Sequence, residues 1–236
     1  MPRKPENPGT CAYCGETITK RSVAKHLDKC SKRQEALLAA EASSRLEETL
    51  WHLRVQDAYN KDFWLDLEMI GSASLEKLDK YLRAIWLECC GHLSKFTIGG
   101  WGGVDVGKVR KANTIFETGL VLRHLYDFGT TSETDIKVVG SRAGKATTKH
   151  PIALLARNRM PEVVCQECSQ PAQWLCIECL YEEDKSGYLC DEHMEGHPHE
   201  NYGEPMPLIN SPRTGMCGYD GPAEPPYLGY HAPTQN

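Results

Sequence analysis

Cysteine is the residue type whose number and spacing most clearly indicate chemistry in this chain. The chain has 11 cysteines in 236 residues, and most lie in C-x2-C pairs, in which two residues separate the cysteines, or near a histidine. Clustered cysteines in a reducing compartment are more often zinc ligands than disulfides. The N-terminal sequence has no apolar signal-peptide core, which favours a cytoplasmic location and therefore metal binding.

The first candidate zinc site lies near the N-terminus. Cys11 and Cys14 form a C-x2-C pair, and His26 and Cys30 follow with the spacing of one helical turn. Residues i and i+4 of a helix project from the same face, so His26 and Cys30 can face the pair together. Four such ligands close one structural zinc site, and so small a unit has too little core to fold without metal. Residues 1–34 resemble a C2HC-type zinc finger.

This predicted finger is also basic. Eight basic and three acidic residues give residues 1–34 a net charge of +5. Phosphate attracts such a surface, which predicts contact with DNA or RNA. The candidate contact residues are Lys20, Arg21, Lys25, Lys29 and Arg33. The alternative is a helix face that is merely solvated.

A denser set of eight potential ligands follows later in the chain: Cys165, Cys168, Cys176, Cys179, Cys190, His193, His197 and His199. Eight ligands saturate two tetrahedral zinc ions, so the whole chain is expected to bind about three Zn²⁺. The ligand pairs can alternate between the two ions or fill them in sequence order. The short gap from Cys168 to Cys176 favours the alternating, crossed arrangement. The order resembles B-box zinc fingers over residues 161–204, although the gap from Cys179 to Cys190 is longer than in that pattern.

The charge of this second module differs from that of the finger. Residues 161–204 contain eleven acidic residues and one lysine, whereas the whole chain has a net charge of -5. An acidic module repels nucleic acid and favours a basic protein partner. Residues 137–159 carry six basic residues and no acidic ones, partly in a segment predicted to be a flexible loop. That segment is expected either to contact DNA or RNA or to dock on the acidic module.

The elements between the two modules predict an α+β domain. Phe63, Leu65 and Leu67 alternate with other residues, which predicts a strand with one buried face. Apolar residues recur at helical spacing from Leu75 to Trp86, which predicts the main helix. We therefore expect a small mixed sheet with one main helix, flanked by two zinc-stapled modules. The predicted segments are a helical linker at 35–50, the domain at 51–160 and a Pro/Gly-rich tail at 205–236.

Several motifs of the central domain are those of a known family. They are Phe63-Trp64-Leu65, Ser74-Leu75-Glu76-Lys77-Leu78, His92-Leu93-Ser94-Lys95-Phe96 and Tyr126-Asp127-Phe128-Gly129. With these motifs, about half of the chain resembles the plasmid pRiA4b ORF-3-like family. The resemblance implies the α+β fold and a bacterial protein associated with plasmids and mobile elements. Some members carry a resolvase-like label, but this sequence does not supply the constellation of a serine or tyrosine recombinase.

The sequence predicts a binding protein and not an enzyme. A catalytic zinc keeps a coordination position open, whereas both predicted zinc modules supply all their ligands. The leading hypothesis is a zinc protein that contacts nucleic acid, and the alternative is a protein-interaction adaptor. A cysteine-dependent enzyme using Cys89 and His92 is a third hypothesis, although packing at a helix end also explains this cysteine. No apolar run is long enough to cross a membrane, and the roles of Cys90 and Cys217 stay open.

Overall fold

The secondary structure is predominantly β. The computed structural model describes residues 6–227. Its first half contains β1 (Gly9–Cys11), β2 (Thr17–Ile18), α1 (Val23–Lys29), α2 (Ser31–Glu41), β3 (Glu47–Asp57), β4 (Trp64–Ile70), α3 (Leu75–Leu82), β5 (Ser94–Ile98) and β6 (Val104–Val106). Its second half contains β7 (Val121–Tyr126), β8 (Ser132–Lys145), β9 (Ile152–Asn158), β10 (Trp174–Leu175), α4 (Ile177–Glu182), β11 (Tyr188–Leu189), α5 (Asp191–Met194) and β12 (Met206–Pro207). A π-helical turn, Arg83–Leu87, continues α3.

A nine-stranded sheet organises most of the chain. Its strand order is β2-β1-β9-β4-β3-β8-β7-β5-β6, and a separate three-stranded sheet has the order β11-β10-β12. The predicted α+β class is confirmed. The predicted small mixed sheet is wrong, because the paired strands of the described residues all run antiparallel and the large sheet has nine strands.

The N-terminal finger is part of the large sheet. Strand β1 pairs with β9, so that Gly9 lies opposite Asn158 and Cys11 opposite Ala156. A Cβ atom at Gly9 would lie only 2.4 Å from the ring of Trp64, so glycine permits this close approach. The finger therefore lies directly against the central domain, and its residues 1–5 fall outside the described part of the chain.

The main hydrophobic core lies between one face of the sheet and α3 with its π-helical continuation. Leu53 and Leu67 from the sheet are fully buried, as are Leu78 and Trp86 from the helix. Each such side chain contributes about 1.5–3 kcal/mol relative to an exposed one. This core fixes the position of the segment that follows the π-helical turn.

The opposite face of β4 is buried as well, which differs from the predicted strand with a single buried face. Asp66 and Glu68 are almost completely buried there. Arg54 donates to Asp66 over 2.6 Å, and Arg142 donates to Glu68 over 2.7 Å. Because these arginines come from β3 and β8, the carboxylates are paired in the fold and can be buried.

The predicted boundaries also shift at residues 35–50. Helix α2 covers only the first part of this segment, and β3 begins at Glu47. Leu50, Leu53 and Val55 of β3 are buried, and β3 pairs with β4 and β8 along its length. The predicted domain boundary at 50/51 therefore lies inside a central strand, because sheet pairing outweighs local helix propensity.

The predicted Pro/Gly-rich tail at 205–236 is ordered over its described part, residues 205–227. Arg213 and Tyr219 are buried, and the ring of Tyr227 packs against those of Tyr81 and His150. Ser211 donates to the carbonyl oxygen of Trp86 over 2.7 Å. The segment is therefore packed on the central domain, and residues 228–236 lie outside the described part.

Candidate metal centres

The predicted N-terminal ligands converge in one group. Cys11 ends β1, Cys14 lies in the following turn, and His26 and Cys30 lie on α1 and directly after it. Gly15 allows that turn with a φ of 75°. The four ligand atoms lie within 4.8 Å of one another, and Cys14 Sγ lies 3.4 Å from His26 Nε2.

A small apolar cluster holds this first group against the sheet. Val23 and Leu27 of α1 are buried together with Trp64 and Leu155 of the sheet. Cys11 and Cys30 belong to the same cluster and are themselves buried. The finger and the central domain thus share one apolar cluster, and Cys11 and Cys30 link this cluster to the candidate metal group.

The eight C-terminal ligands form two groups in the crossed arrangement. One group contains Cys165, Cys168, Cys190 and His193, and the other contains Cys176, Cys179, His197 and His199. Short elements place them, because Cys176 precedes α4 and Cys190 precedes α5. The sequential pairing, which the sequence left open, is not the one that the structure brings together.

Where the ligand atoms of these two groups contact one another, they lie 3.2–3.8 Å apart, close to the separations in a tetrahedral zinc site. Zinc lies about 2.3 Å from sulfur and about 2.0 Å from nitrogen, which places two ligand atoms on one ion about 3.5–3.8 Å apart. Cys168 Sγ lies 3.8 Å from Cys190 Sγ, and Cys176 Sγ lies 3.6 Å from His199 Nδ1. A disulfide would instead hold two sulfurs at about 2.05 Å. The cysteines are all free thiols, and the donor sets fit Zn²⁺.

Carboxylates support two of the candidate histidine ligands from behind. His199 directs Nδ1 to its group, and its Nε2 lies 3.1 Å from Glu183 Oε1. His26 directs Nε2 to its group, and its Nδ1 lies 3.5 Å from Glu16 Oε2. A carboxylate on the second ring nitrogen fixes the tautomer and increases the basicity of the ligand nitrogen.

The surroundings of the thiols differ between the two ends of the chain. Burial raises the pKa of Cys11 to about 12, so a metal ion must displace a firmly held proton there. At Cys165 burial also opposes ionisation, but hydrogen bonds from the backbone of Glu167, Cys190 and Cys168 lower the pKa to about 7. Zinc binding releases thiol protons, so we expect affinity at both sites to fall as the pH falls.

The pair of Glu183 and His199 leads to a prediction about zinc affinity. Replacing Glu183 by Gln removes the carboxylate but keeps the size of the side chain, and we expect zinc affinity at its group to fall about 10–100-fold. Competition with a chromophoric chelator measures this. Glu195→Gln, at an exposed residue of the same module, is the matched control and should leave affinity unchanged. Equal affinities for the two variants would show that Glu183 does not support the metal site.

A fourth group was not predicted. Cys89, Cys90, His92 and Cys217 place their ligand atoms within 4.8 Å of one another. Two sequence features could have indicated this group: the cysteines that lie outside the three predicted groups, and the Cys90-x-His92 spacing. Together the four groups contain all 11 cysteines of the chain.

The predicted nucleic-acid contacts are not equivalent in the structure. Lys25 and Lys29 are exposed on α1, and Arg21 is exposed but pairs with Glu6. Lys20 donates to a backbone carbonyl of the central domain. Arg33 is only 12% exposed and lies 3.9 Å from Glu68, so its charge faces inward.

The basic segment at 137–159 is mostly strand, which corrects the predicted flexible loop. It contains the end of β8 and all of β9. Arg142 binds Glu68, Lys145 donates to two backbone carbonyls at the C-terminal end of α2 and just after it, and Arg157 donates to the backbone carbonyl of Asn210. Much of its positive charge is therefore used within the chain.

The fold and the Cys/His groups define this chain as an α+β protein with four groups that could hold metal ions, for which zinc is the fitting ion. No protein-family model matches the sequence, and no curated protein matches it. Among solved structures, it is similar to the protein of unknown function MM3350 from Methanosarcina mazei Go1. That match has 17% sequence identity and a TM-score of 0.40, and it covers 47% of this chain and 69% of that chain. The resemblances to the pRiA4b ORF-3-like, C2HC-type and B-box patterns stay predictions.

No helix within residues 6–227 is both long and apolar enough to cross a membrane.

Proposed function

We propose that this chain is a non-enzymatic, zinc-dependent binding protein that contacts a basic protein partner through its acidic module, residues 161–204. The observation that carries the proposal is the crossed pair of Cys/His groups, which together supply eight ligands. Two tetrahedral ions are saturated by that number, so neither keeps a position open for water. Zinc in this module would hold its shape and supply no chemistry.

The charge of the module is directed outward. Of its eleven acidic residues, only Glu183 takes part in an ion pair among the described residues, with Lys185 and His199. Ion pairs between the basic segment 137–159 and this module are absent from residues 6–227; Arg157 instead pairs with Glu224. The module's negative field is therefore open to a basic partner, and complementary charge speeds and selects such an encounter.

Apolar side chains accompany the acidic ones on this surface. Tyr181 is 55% exposed and Tyr202 is 53% exposed, and Tyr202 donates to Glu182, the neighbour of Tyr181. Val164 is 64% exposed near the first ligand pair. Aromatic residues are enriched at the centres of protein interfaces, so this mixture supports recognition of a protein.

Nucleic-acid binding by the finger is a second candidate. Lys25 and Lys29 are exposed one helical turn apart on α1, where phosphate can reach both. The association with mobile DNA that the family resemblance implies would belong to this candidate. The inward position of Arg33 and the internal bonds of the basic segment leave it the weaker of the two.

One titration separates the two candidates. Fluorescence anisotropy of the zinc-loaded full chain is measured with a Lys/Arg-rich peptide and with a DNA duplex. We expect peptide binding that weakens with salt and that falls about tenfold in Glu192→Lys/Glu195→Lys, since each exposed charge pair contributes at most about 1 kcal/mol. Glu47→Lys/Glu117→Lys changes the net charge equally outside the module and is the matched control.

Each outcome has a distinct meaning. An equal loss of peptide binding in both double variants would show that binding depends on net charge alone, and it would overturn the assignment of the binding surface to the acidic module. Duplex binding that is lost in Lys25→Glu/Lys29→Glu, without peptide binding, would replace the first candidate by the second. Failure to bind either probe at low salt would overturn both.

A further inference from the structure

We propose that Cys89, Cys90, His92 and Cys217 form a fourth zinc site, which fastens the C-terminal segment to the central domain. Their ligand atoms meet the same criterion as the three predicted groups, with all four within 4.8 Å of one another. Three thiolates and one imidazole form a donor set typical of structural zinc.

Two distant segments supply these ligands. Cys89 and Cys90 follow Glu88, the residue that ends the π-helical turn Arg83–Leu87, and Trp86 anchors this turn in the main core. Gly91 then adopts a φ of 71°, a left-handed conformation that brings His92 back toward the two cysteines. Cys217 comes from the C-terminal segment, 125 residues after His92, with its Sγ 3.9 Å from His92 Nε2.

The backbone around Cys217 is unusual in a way that a ligand explains. Gly215, Cys217 and Gly218 have φ values of 80°, 56° and 68°. Glycine accepts this region freely, but cysteine does not, and such residues persist where other interactions hold them. Cys217 is exposed, so burial of its side chain does not hold it there. A bond from its sulfur to a metal ion would.

The surroundings of the group fit an anionic metal–thiolate centre. Zinc with three thiolates and a neutral imidazole has a formal charge of −1. Arg213 is fully buried beside it, and its Nη2 lies 3.5 Å from Cys89 Sγ. Hydrogen bonds and cations near the sulfur stabilise such centres. Asp127 Oδ2 lies 3.5 Å from His92 Nε2 and accepts a hydrogen bond from Arg213 over 2.8 Å. Asp127 Oδ1 accepts from the backbone N–H of Gly129, so both carboxylate oxygens have partners.

The site would complete an attachment that is already present. Ser211 donates to the carbonyl of Trp86, and Arg213 donates to the carbonyl of Thr130. These bonds position the segment just before Cys217, and the metal would add a further attachment to the domain at Cys217 itself. Because Cys90 and Cys217 are exposed, we expect this site to release zinc more readily than the other three.

Native mass spectrometry of the full chain tests the proposal. We expect four zinc ions in the natural chain and three in His92→Ala/Cys217→Ser. Glu117→Ala changes an exposed residue outside all four groups and is the control, which should keep four. Retention of three ions by the double variant also shows that it folds.

Limited trypsin digestion gives a second readout. Cleavage after Arg213, which is buried in the natural chain, should become at least tenfold faster in the double variant and unchanged in the control.

Three or fewer zinc ions in the natural chain, four in the double variant, or a disulfide from Cys217 to Cys89 or Cys90 would overturn the fourth site. If the natural chain does not bind the Lys/Arg-rich peptide, the proposed function is overturned and the fourth site is not affected.

Discussion

Removing zinc with a chelator should unfold residues 161–204 and leave strands β3–β9 of the large sheet folded. The module's buried cluster contains only Cys176, Cys179 and Leu189, with Trp174 and Met194 packed on it. Two of these residues are candidate ligands, so little core remains when the metal leaves. Structural zinc supplies about 10–16 kcal/mol of apparent binding free energy in small modules, far more than this cluster can replace.

Hydrogen–deuterium exchange followed by mass spectrometry measures this effect. After chelation, amides of residues 161–204 should lose protection, whereas those of β3 and β4 should keep it. Cys176→Ser should reproduce the loss in its half of the module, and Ser169→Ala, at an exposed residue of the same module, is the matched control. Unchanged protection in a chain shown to be zinc-free would contradict the structural role of the metal.

Replacing Asp79 by Ala should destabilise the central domain by about 3–5 kcal/mol, the usual cost of removing one partner from a buried charge network. Asp79 is almost completely buried on α3. Its Oδ1 lies 2.7 Å from His124 Nε2 and accepts from Ser94 over 2.6 Å. Its Oδ2 accepts from Arg83 over 3.0 Å and from Lys108 over 3.1 Å. Without the carboxylate, two cations and a buried imidazole lose their shared partner.

The same network predicts how stability depends on pH. Burial alone would raise the pKa of Asp79, but the hydrogen bonds from His124, Ser94 and Lys108 hold it well below the ordinary value of 3.8. A carboxyl whose pKa is lower in the folded state stabilises the fold above the unfolded pKa. This contribution is therefore present at neutral pH and is lost as the pH falls below about 4.

Urea denaturation of the zinc-loaded chain, followed through the central domain, measures the loss. Glu76→Ala on the same helix is the matched control, because Glu76 and Lys80 form an exposed pair whose loss should leave stability nearly unchanged. An Asp79→Ala variant within 1 kcal/mol of the natural chain, or one that keeps the acid sensitivity of the natural chain, would contradict the role of this network.

The three predicted Cys/His groups could be recognised from the sequence because their candidate ligands are close in sequence. A C-x2-C pair and a histidine one helical turn from a cysteine already define most of a site, whatever the rest of the fold does. The short gap from Cys168 to Cys176 also indicated the crossed pairing, which the structure shows. The fourth group could not be predicted from local spacing alone, because Cys217 lies 125 residues after His92 and is brought to it by the fold.

The large sheet was also harder to predict, because its strand pairings join segments that are far apart in the sequence. Glu47–Asp57 follows an Ala- and Leu-rich helix and was divided between a helical linker and the domain. Its pairing with β4 and β8, and not its local propensity, makes it a strand. The sequence predicts one buried face for β4, but the arginines that pair with Asp66 and Glu68 come from other strands and allow the opposite face to be buried as well. Burial of paired charges depends on such non-local partners, which spacing does not reveal.

Zinc content together with thiol accessibility, measured on the purified chain, decides whether the Cys/His groups bind structural metal. We expect at least three tightly held zinc ions per chain and cysteines that resist alkylation until a chelator is added. A fully folded chain that contains no metal, or cysteines joined to one another as disulfides, would contradict it.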